Sequence, residues 1–142
     1  MKALAAIFGM LIFSNSVVPQ ARIVTAAQAN GTYRSGSNEI KILALGSNKL
    51  KIQMQLSYEY RTPAGPMANV GEALGEATIE NDVATFRPPD TEGCIITIKF
   101  LPGNKIRVSE DRTINCGFGL NVSSGGTYRK VRAGKPKFDV PE

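Results

Sequence analysis

The stretch LKIQMQLSYEY, residues 50–60, decides the fold of this chain. Apolar or aromatic residues occupy every second position, and lysine, glutamine, serine and glutamate stand between them. Because successive side chains of a β-strand point to opposite faces, this period of two predicts a half-buried strand. The core is therefore expected to lie on one face of a sheet.

The segment before this strand predicts its first partner. NEIKILAL, residues 38–45, is followed by the turn-forming residues GSNK, which indicates a hairpin. A three-residue loop at 46–48 pairs two inward rows, namely Ile40, Ile42 and Ala44 opposite Met54, Ile52 and Leu50. A four-residue loop would turn Leu43 and Leu45 inward instead, because a slip of one residue exchanges the two faces; we favour the first register.

Two further hairpins follow along the chain. GEATIENDVATF, residues 75–86, turns at Asn81 and Asp82, and CIITIKFLPGNKIRVSE, residues 94–110, turns at residues 102–104. The expected facing pairs are Ile79 with Ala84, Ala77 with Phe86, Phe100 with Ile106, and Ile98 with Val108. Between the first and second hairpins, RTPAGPMANVGEALGE at residues 61–76 shows no period, and we expect a mobile connector or a binding loop there.

These signals together predict an all-β protein. Seven to eight short strands at spacings of roughly 8–12 residues, joined mostly by tight turns, are typical of an antiparallel sandwich or barrel. We favour a small antiparallel up-and-down β-barrel, because nearly all connections are hairpins and closure removes exposed strand edges. The motif GTYR occurs at residues 31–34 and again at 126–129, and we expect Tyr33 and Tyr128 to lie on adjacent strands at the seam of the barrel, with hydroxyls reaching water.

The first residues of the chain resemble an export signal. Lys2 precedes the apolar run of residues 3–13, and Ala27-Gln28-Ala29 offers a cleavage site before Asn30, with an earlier cut near Ser16 or Ala21 also open. An apolar run of this length is too short to span a bilayer, so no stable membrane anchor is expected after cleavage. The expected organisation is a signal peptide at 1–29, a β-barrel domain at 30–131 and a disordered tail at 132–142, in a periplasmic or secreted protein.

The two cysteines fit that compartment. Cys94 and Cys116 are an even pair in an exported chain, which predicts one disulfide. In the chain-entropy picture a loop of this size contributes about 3 kcal/mol. Cys94 shares the inward parity of its strand, so the disulfide is expected in the core.

Several chemistries are excluded or disfavoured by the composition. The chain has no histidine, which removes the Ser-His-Asp and Cys-His mechanisms and the commonest transition-metal ligand. It has no phosphate-binding loop and no dinucleotide-binding motif, and its acidic residues sit at turns or on polar faces. We therefore expect no enzyme, no catalytic or metal-ligating residues and no cofactor. Without residues 1–29 the count is 15 basic against 12 acidic, a net charge of +3 that no stripe concentrates, so no nucleic-acid partner is expected.

A ligand site is the remaining possibility in the core-facing stripe. Tyr58 and Tyr60 extend it towards the irregular segment and could line the mouth of a barrel, each offering an apolar ring and a hydroxyl. The alternative is that the two rings only cap the core of a barrel filled by its own side chains.

The plan of the chain resembles lipocalins and avidins. The opening Gly31-Thr32-Tyr33 stands where lipocalins have G-x-W at the start of the first strand, and a basic residue follows the aromatic of the last strand. The lipocalin T-D-Y motif is absent, and a chain without tryptophan lacks the residues of the avidin biotin site, so biotin binding is not implied.

The C-terminal segment CGFGLNVSSGGTYRK, residues 116–130, is similar to that of small exported, largely uncharacterised bacterial proteins. Lysozyme inhibitors of the periplasm are also small disulfide-bonded barrels, but their usual motifs are not evident here. The resulting expectation is a monomeric, non-enzymatic barrel that binds an unknown small ligand or an envelope protein. The alternative is a protein–protein module such as an inhibitor of a hydrolase. A filled barrel with an exposed apolar patch would favour the second.

Overall fold

The computed structural model describes residues 14, 16, 22–111 and 116–139. One short helix, α1, precedes eight strands, which are α1 (Ala26–Ala29), β1 (Gly31–Ser35), β2 (Asn38–Gly46), β3 (Lys49–Thr62), β4 (Gly65–Glu80), β5 (Val83–Phe86), β6 (Ile96–Leu101), β7 (Lys105–Glu110) and β8 (Gly126–Ala133). Each strand pairs antiparallel with the next, and β8 pairs back onto β1, which closes the barrel. The predicted up-and-down barrel is confirmed, and the sandwich alternative is not what forms.

The interior of the barrel is packed with its own side chains. Alternate residues of each strand point inward, as the period of two predicted for β3, and bring together aliphatic and aromatic groups from all sides. The largest of these, each under 2 % exposed, are Tyr33, Ile40, Ile42, Leu50, Ile52, Met54, Phe86, Ile96, Ile98, Ile106 and Tyr128. Close packing of this kind is the main stabilising term of the fold.

The three predicted hairpin registers are confirmed. Ile42 faces Ile52, Ile79 faces Ala84, and Ile98 faces Val108. The first turn differs in detail, because Ser47 and Asn48 form a two-residue turn with φ values of 50° and 57°, and a bulge between Ala44 and Gly46 takes up the remaining residue. Two positive φ values suit the twist of a tight hairpin, so this turn and bulge give the same facing pairs as a three-residue loop.

The segment expected to be an irregular connector is a long hairpin instead. β3 and β4 pair without interruption from Lys49 with Thr78 to Thr62 with Gly65, and only residues 63 and 64 lie in the turn. The hairpin outreaches its neighbours, because β2 pairs with β3 only as far as Gln55 and β5 pairs with β4 only from Ala77 onward. We call the projecting part, residues 57–70, the arm.

The N-terminal boundary of the fold lies earlier than predicted. Thr25 begins α1 with a capping box to Gln28, Ala29 is 2 % exposed, and the Val24 N–H donates to the Asn81 carbonyl at 3.2 Å. Residues 24–29 therefore pack against the barrel, although the expected division placed them in the signal peptide. The apolar run at residues 3–13 lies outside the described residues.

The C-terminal tail, for which the sequence predicted disorder from residue 132, contacts the barrel. β8 extends to Ala133, and beyond it Asp139 reaches the outer face of β2 and β3. Its backbone N–H donates to Gln53 Oε1 at 3.1 Å, its carbonyl accepts from Gln53 Nε2 at 2.8 Å, and its carboxylate pairs with Lys41 at 2.7 Å. The Lys51 ammonium also lies 4.6 Å from the centre of the Phe138 ring. Residues 140–142 lie outside the described part.

Candidate functional site

The two tyrosines of the repeated GTYR motif lie on the paired strands β1 and β8. Both are buried, at 1 % and 0 % exposure. Contrary to the expectation, their hydroxyls do not reach water. Tyr33 Oη donates to the Ala29 carbonyl at 2.9 Å, and Tyr128 Oη donates to the Ser124 carbonyl at 2.8 Å. Each hydroxyl thus bonds to the carbonyl four residues upstream, and burial raises the pKa of both phenols.

The repeat therefore has a local structural cause. Gly31 and Gly126 begin the two strands with φ values of 154° and 139°, which side-chain-bearing residues rarely adopt. In both strands the tyrosine two residues after the glycine bonds back to the segment that precedes the strand. The two tyrosines hold the starts of β1 and β8 in place, and their hydroxyls are engaged by backbone carbonyls.

Tyr58 and Tyr60 lie outside the barrel, on the arm. They keep the parity of the core stripe, but that stripe leaves the barrel after Leu56, which is 3 % exposed, whereas Tyr58 is 43 % exposed. The two rings stack on each other with centroids 6.4 Å apart and planes 22° apart. They share their face of the arm with Met67, which stands opposite Tyr60 and is 53 % exposed.

The loop at residues 116–122 braces the base of the arm. The Phe118 ring packs on Gly71 so closely that a Cβ there would lie 2.8 Å from it, and Asn69 Nδ2 donates to the Leu120 carbonyl at 2.9 Å. The disulfide between Cys94 and Cys116 ties the start of this loop to the segment before β6. The predicted disulfide is confirmed, and it holds the brace of the arm in place.

Four side chains form a largely apolar surface on the braced face of the arm, of which Tyr60 is half-buried and the other three are exposed. Leu120, on the brace, is 77 % exposed beside Asn69, which stands opposite Tyr58. We call this surface the arm patch; it consists of Tyr58, Tyr60, Met67 and Leu120. The sequence pointed to the two tyrosines but missed the other two residues, because Met67 can be placed opposite Tyr60 only when residues 65–76 are known to be a strand.

The polar groups of the barrel serve structural contacts. The Glu110 carboxylate accepts from the backbone N–H and, at 2.6 Å, the hydroxyl of Ser124. The Lys130 ammonium donates to the Gln28 carbonyl at 2.7 Å, and burial lowers its pKa. Within residues 22–111 and 116–139, no group of three or more acidic or cysteine side chains is placed to hold a metal ion.

A shallow groove lies beside α1. Its volume is about 190 Å³, and its apolar floor is formed by Val24, Ala29, Ala44, Leu50 and Ile79. The groove sits on the outside of the packed core and does not include Tyr58 or Tyr60. In the part of the chain that the structure describes, no helix is both long and apolar enough to cross a membrane.

Comparisons with protein-family models, with curated proteins and with solved structures give no match for this chain.

Proposed function

We propose that the protein is an exported, non-enzymatic binding module that engages another exported protein through the arm patch. The observation that carries this proposal is an exposed aromatic and methionine surface on a braced two-stranded projection. The interior, by contrast, is filled by buried side chains such as Met54 and Phe86, which leaves a small molecule little room there. The proposal therefore prefers a protein partner over the small ligand suggested by the stripe of residues 50–60.

The composition of the arm patch supports a protein partner. Tyrosine and methionine are enriched in protein interfaces, and an exposed apolar cluster on a monomer marks an interaction surface. The arm is held by the pairing of β3 with β4 and by the loop at residues 116–122, so little conformational entropy is lost when it binds. A two-stranded arm is about 10 Å wide, which suits a cleft, and an inhibitor of an exported hydrolase would be one such module.

A substitution of the arm patch tests the proposal. We expect Tyr58→Ser combined with Met67→Ser to abolish retention of a partner from the native envelope or medium, because the apolar contact area is lost. The matched control is Val70→Ser. Val70 is 65 % exposed and lies on β4 like Met67, but its side chain points to the opposite face of the arm. The measurement is quantitative mass spectrometry of proteins retained by each variant. Equal retention by wild type and the double variant would refute the arm patch as the binding surface.

Export is the second part of the proposal. We propose that the apolar run at residues 3–13 directs export and that cleavage falls before Arg22, near Ser16 or Ala21, because residues 24–29 are packed into the domain. A disulfide is compatible with an oxidising compartment. We expect N-terminal sequencing of the protein from the periplasm or medium to begin between residues 17 and 22. A mature chain beginning at Asn30 would contradict this, since it would remove the carbonyl that Tyr33 bonds.

A further inference from the structure

The arm has one strand edge without a partner. β2 pairs with β3 only as far as Gln55. Two residues further along β3, the Ser57 N–H donates to the Asn38 side chain at 2.9 Å. Among the described residues, no strand pairs with residues 58–62 on that side. The arm therefore presents an open edge of five residues, and such edges are templates for a further strand.

The contact at Ser57 shows which backbone groups point to the open edge. Because the Ser57 N–H points away from β4, the alternation of a strand makes Glu59 and Arg61 point their N–H and C=O groups the same way. Tyr60 and Thr62 then direct theirs to β4, which agrees with the pairing of Thr62 and Gly65 beside the two-residue turn. The free donors and acceptors of the open edge are those of Glu59 and Arg61.

The opposite edge of the arm is interrupted at both ends, by Pro66 and by the loop against Val70. Pro66 has no N–H, and its position in β4 has the parity that faces away from β3. Further along, the loop at residues 116–122 covers this edge so closely that a side chain at Gly119 would meet the Val70 carbonyl oxygen at 2.8 Å. The contrast leaves β3 as the edge on which a strand can be added.

The charges on the open edge are self-complementary. Glu59 and Arg61 are both exposed and flank Tyr60, with their side chains on the face opposite the arm patch. If a second copy pairs antiparallel about a two-fold axis at Tyr60, Glu59 of each copy stands opposite Arg61 of the other. These are also the residues with free backbone groups, so each opposed pair can exchange both N–H···O bonds. Charge complementarity and backbone direction select the same register.

We propose that two copies of this chain associate through the β3 edges of their arms, with the two-fold axis at Tyr60. The two arms form one four-stranded antiparallel sheet, and the two Tyr60 residues meet as a non-hydrogen-bonded pair. This departs from the monomer expected from the sequence. It goes beyond the proposed function, because the contact uses the edge of the arm and leaves its apolar face open. A contact of this size is expected to be weak and dependent on concentration.

Cysteine cross-linking tests the register. A Tyr60→Cys variant should form an intermolecular disulfide in air, because paired Cα atoms at a non-hydrogen-bonded position are about 4.5 Å apart, within disulfide range. Tyr58→Cys is the matched control: its counterpart lies four residues along the strand, about 14 Å away, although Tyr58 is well exposed. We expect at least tenfold more dimer from the first variant on non-reducing gels. Equal cross-linking of the two variants, or none from Tyr60→Cys, would overturn the proposal.

Charge reversal tests the same register without a covalent bond. Glu59→Arg and Arg61→Glu should each weaken self-association at least fivefold in sedimentation velocity, since each places like charges opposite one another. Mixing the two variants should restore a dimer, because every opposed pair is then Arg with Glu. Glu72→Arg, on β4, is the control and should dimerise like wild type. A mixture no tighter than the separate variants, or a wild type that stays monomeric at every concentration, would refute the pairing.

The dimer proposal and the arm-patch proposal can be refuted independently of each other. Glu59 and Arg61 lie outside the arm patch, so partner retention that depends on Tyr58 and Met67 can persist while the dimer is absent. Circular dichroism of each variant confirms that the barrel is intact.

Discussion

At the scale of single residues, the two buried tyrosines carry the most specific information in the chain. Their shared motif predicted neighbouring strands, and the pairing of β1 with β8 agrees with that expectation. The destination of the hydroxyls could not be predicted, because it depends on carbonyls of segments that precede the strands and have no period of their own. The bond from Tyr33 to Ala29 requires α1, which the cleavage site predicted before Asn30 places in the signal peptide.

Removing the Tyr128 hydroxyl measures how much its hydrogen bond to Ser124 stabilises the fold. We expect Tyr128→Phe to lower the free energy of unfolding by about 1–3 kcal/mol, because the buried Ser124 carbonyl loses its donor and Asn38 Nδ2 loses a neighbour at 3.3 Å. Tyr58→Phe, at an exposed site, is the control and should change it by less than about 0.5 kcal/mol. Urea denaturation followed by fluorescence gives both values. Indistinguishable midpoints for the two variants would show that the bond contributes nothing.

At the scale of elements, the hairpins were predictable where alternation and turn chemistry coincide with the core. The register around Ile52 followed from residues on both sides of the turn. The arm was not predictable in this way, because it has no barrel interior beneath it and its strand from Gly65 carries proline, alanine and glycine without alternation. The docking of the tail was not predictable for a related reason. It rests on the polar groups of Gln53 and Lys41, and the tail has no apolar pattern that would indicate a contact.

The docked tail should respond to acid. The hydrogen bond and charge of Lys41 lower the pKa of the Asp139 carboxyl below its ordinary value. A carboxyl with a lowered folded-state pKa stabilises the docked form above its ordinary pKa, near 4, and loses that effect as pH falls through the lowered value. We expect proteolysis near Lys137 to accelerate at acid pH, and Asp139→Asn to give the fast rate already at neutral pH.

The rate of cleavage is measured at acid and at neutral pH with an acid-resistant protease. The control variant is Asp90→Asn, which lies on an exposed turn. A tail equally protected in Asp139→Asn and wild type at neutral pH would show that the ion pair does not hold it.

At the scale of the whole molecule, the disulfide ties the loop that braces the arm to the segment before β6. Cys94 and Cys116 are separated by 22 residues, and both are nearly inaccessible at 1 % and 6 % exposure. We expect Cys94→Ala combined with Cys116→Ala to lower the free energy of unfolding by about 3 kcal/mol, mainly because the unfolded chain gains freedom. Partner retention should fall as well, since the brace at Phe118 loosens.

Chemical denaturation measures the first effect, and the retention assay measures the second. Deuterium uptake at residues 57–70 should rise in the same variant. Unchanged uptake there would separate the disulfide from the rigidity of the arm.

The closure of the barrel also sets a condition on the order of folding. The register that pairs Gly31 with Ala133 joins the beginning of the sheet to its end. A chain emerging from the ribosome, or threading through a translocation channel, presents β1 long before β8 exists, so β1 must wait for its second partner. Until the last strand arrives, two edges stay open, and the chain is prone to aggregate. Arrival of β8 is thus the event that converts an open sheet into a closed barrel.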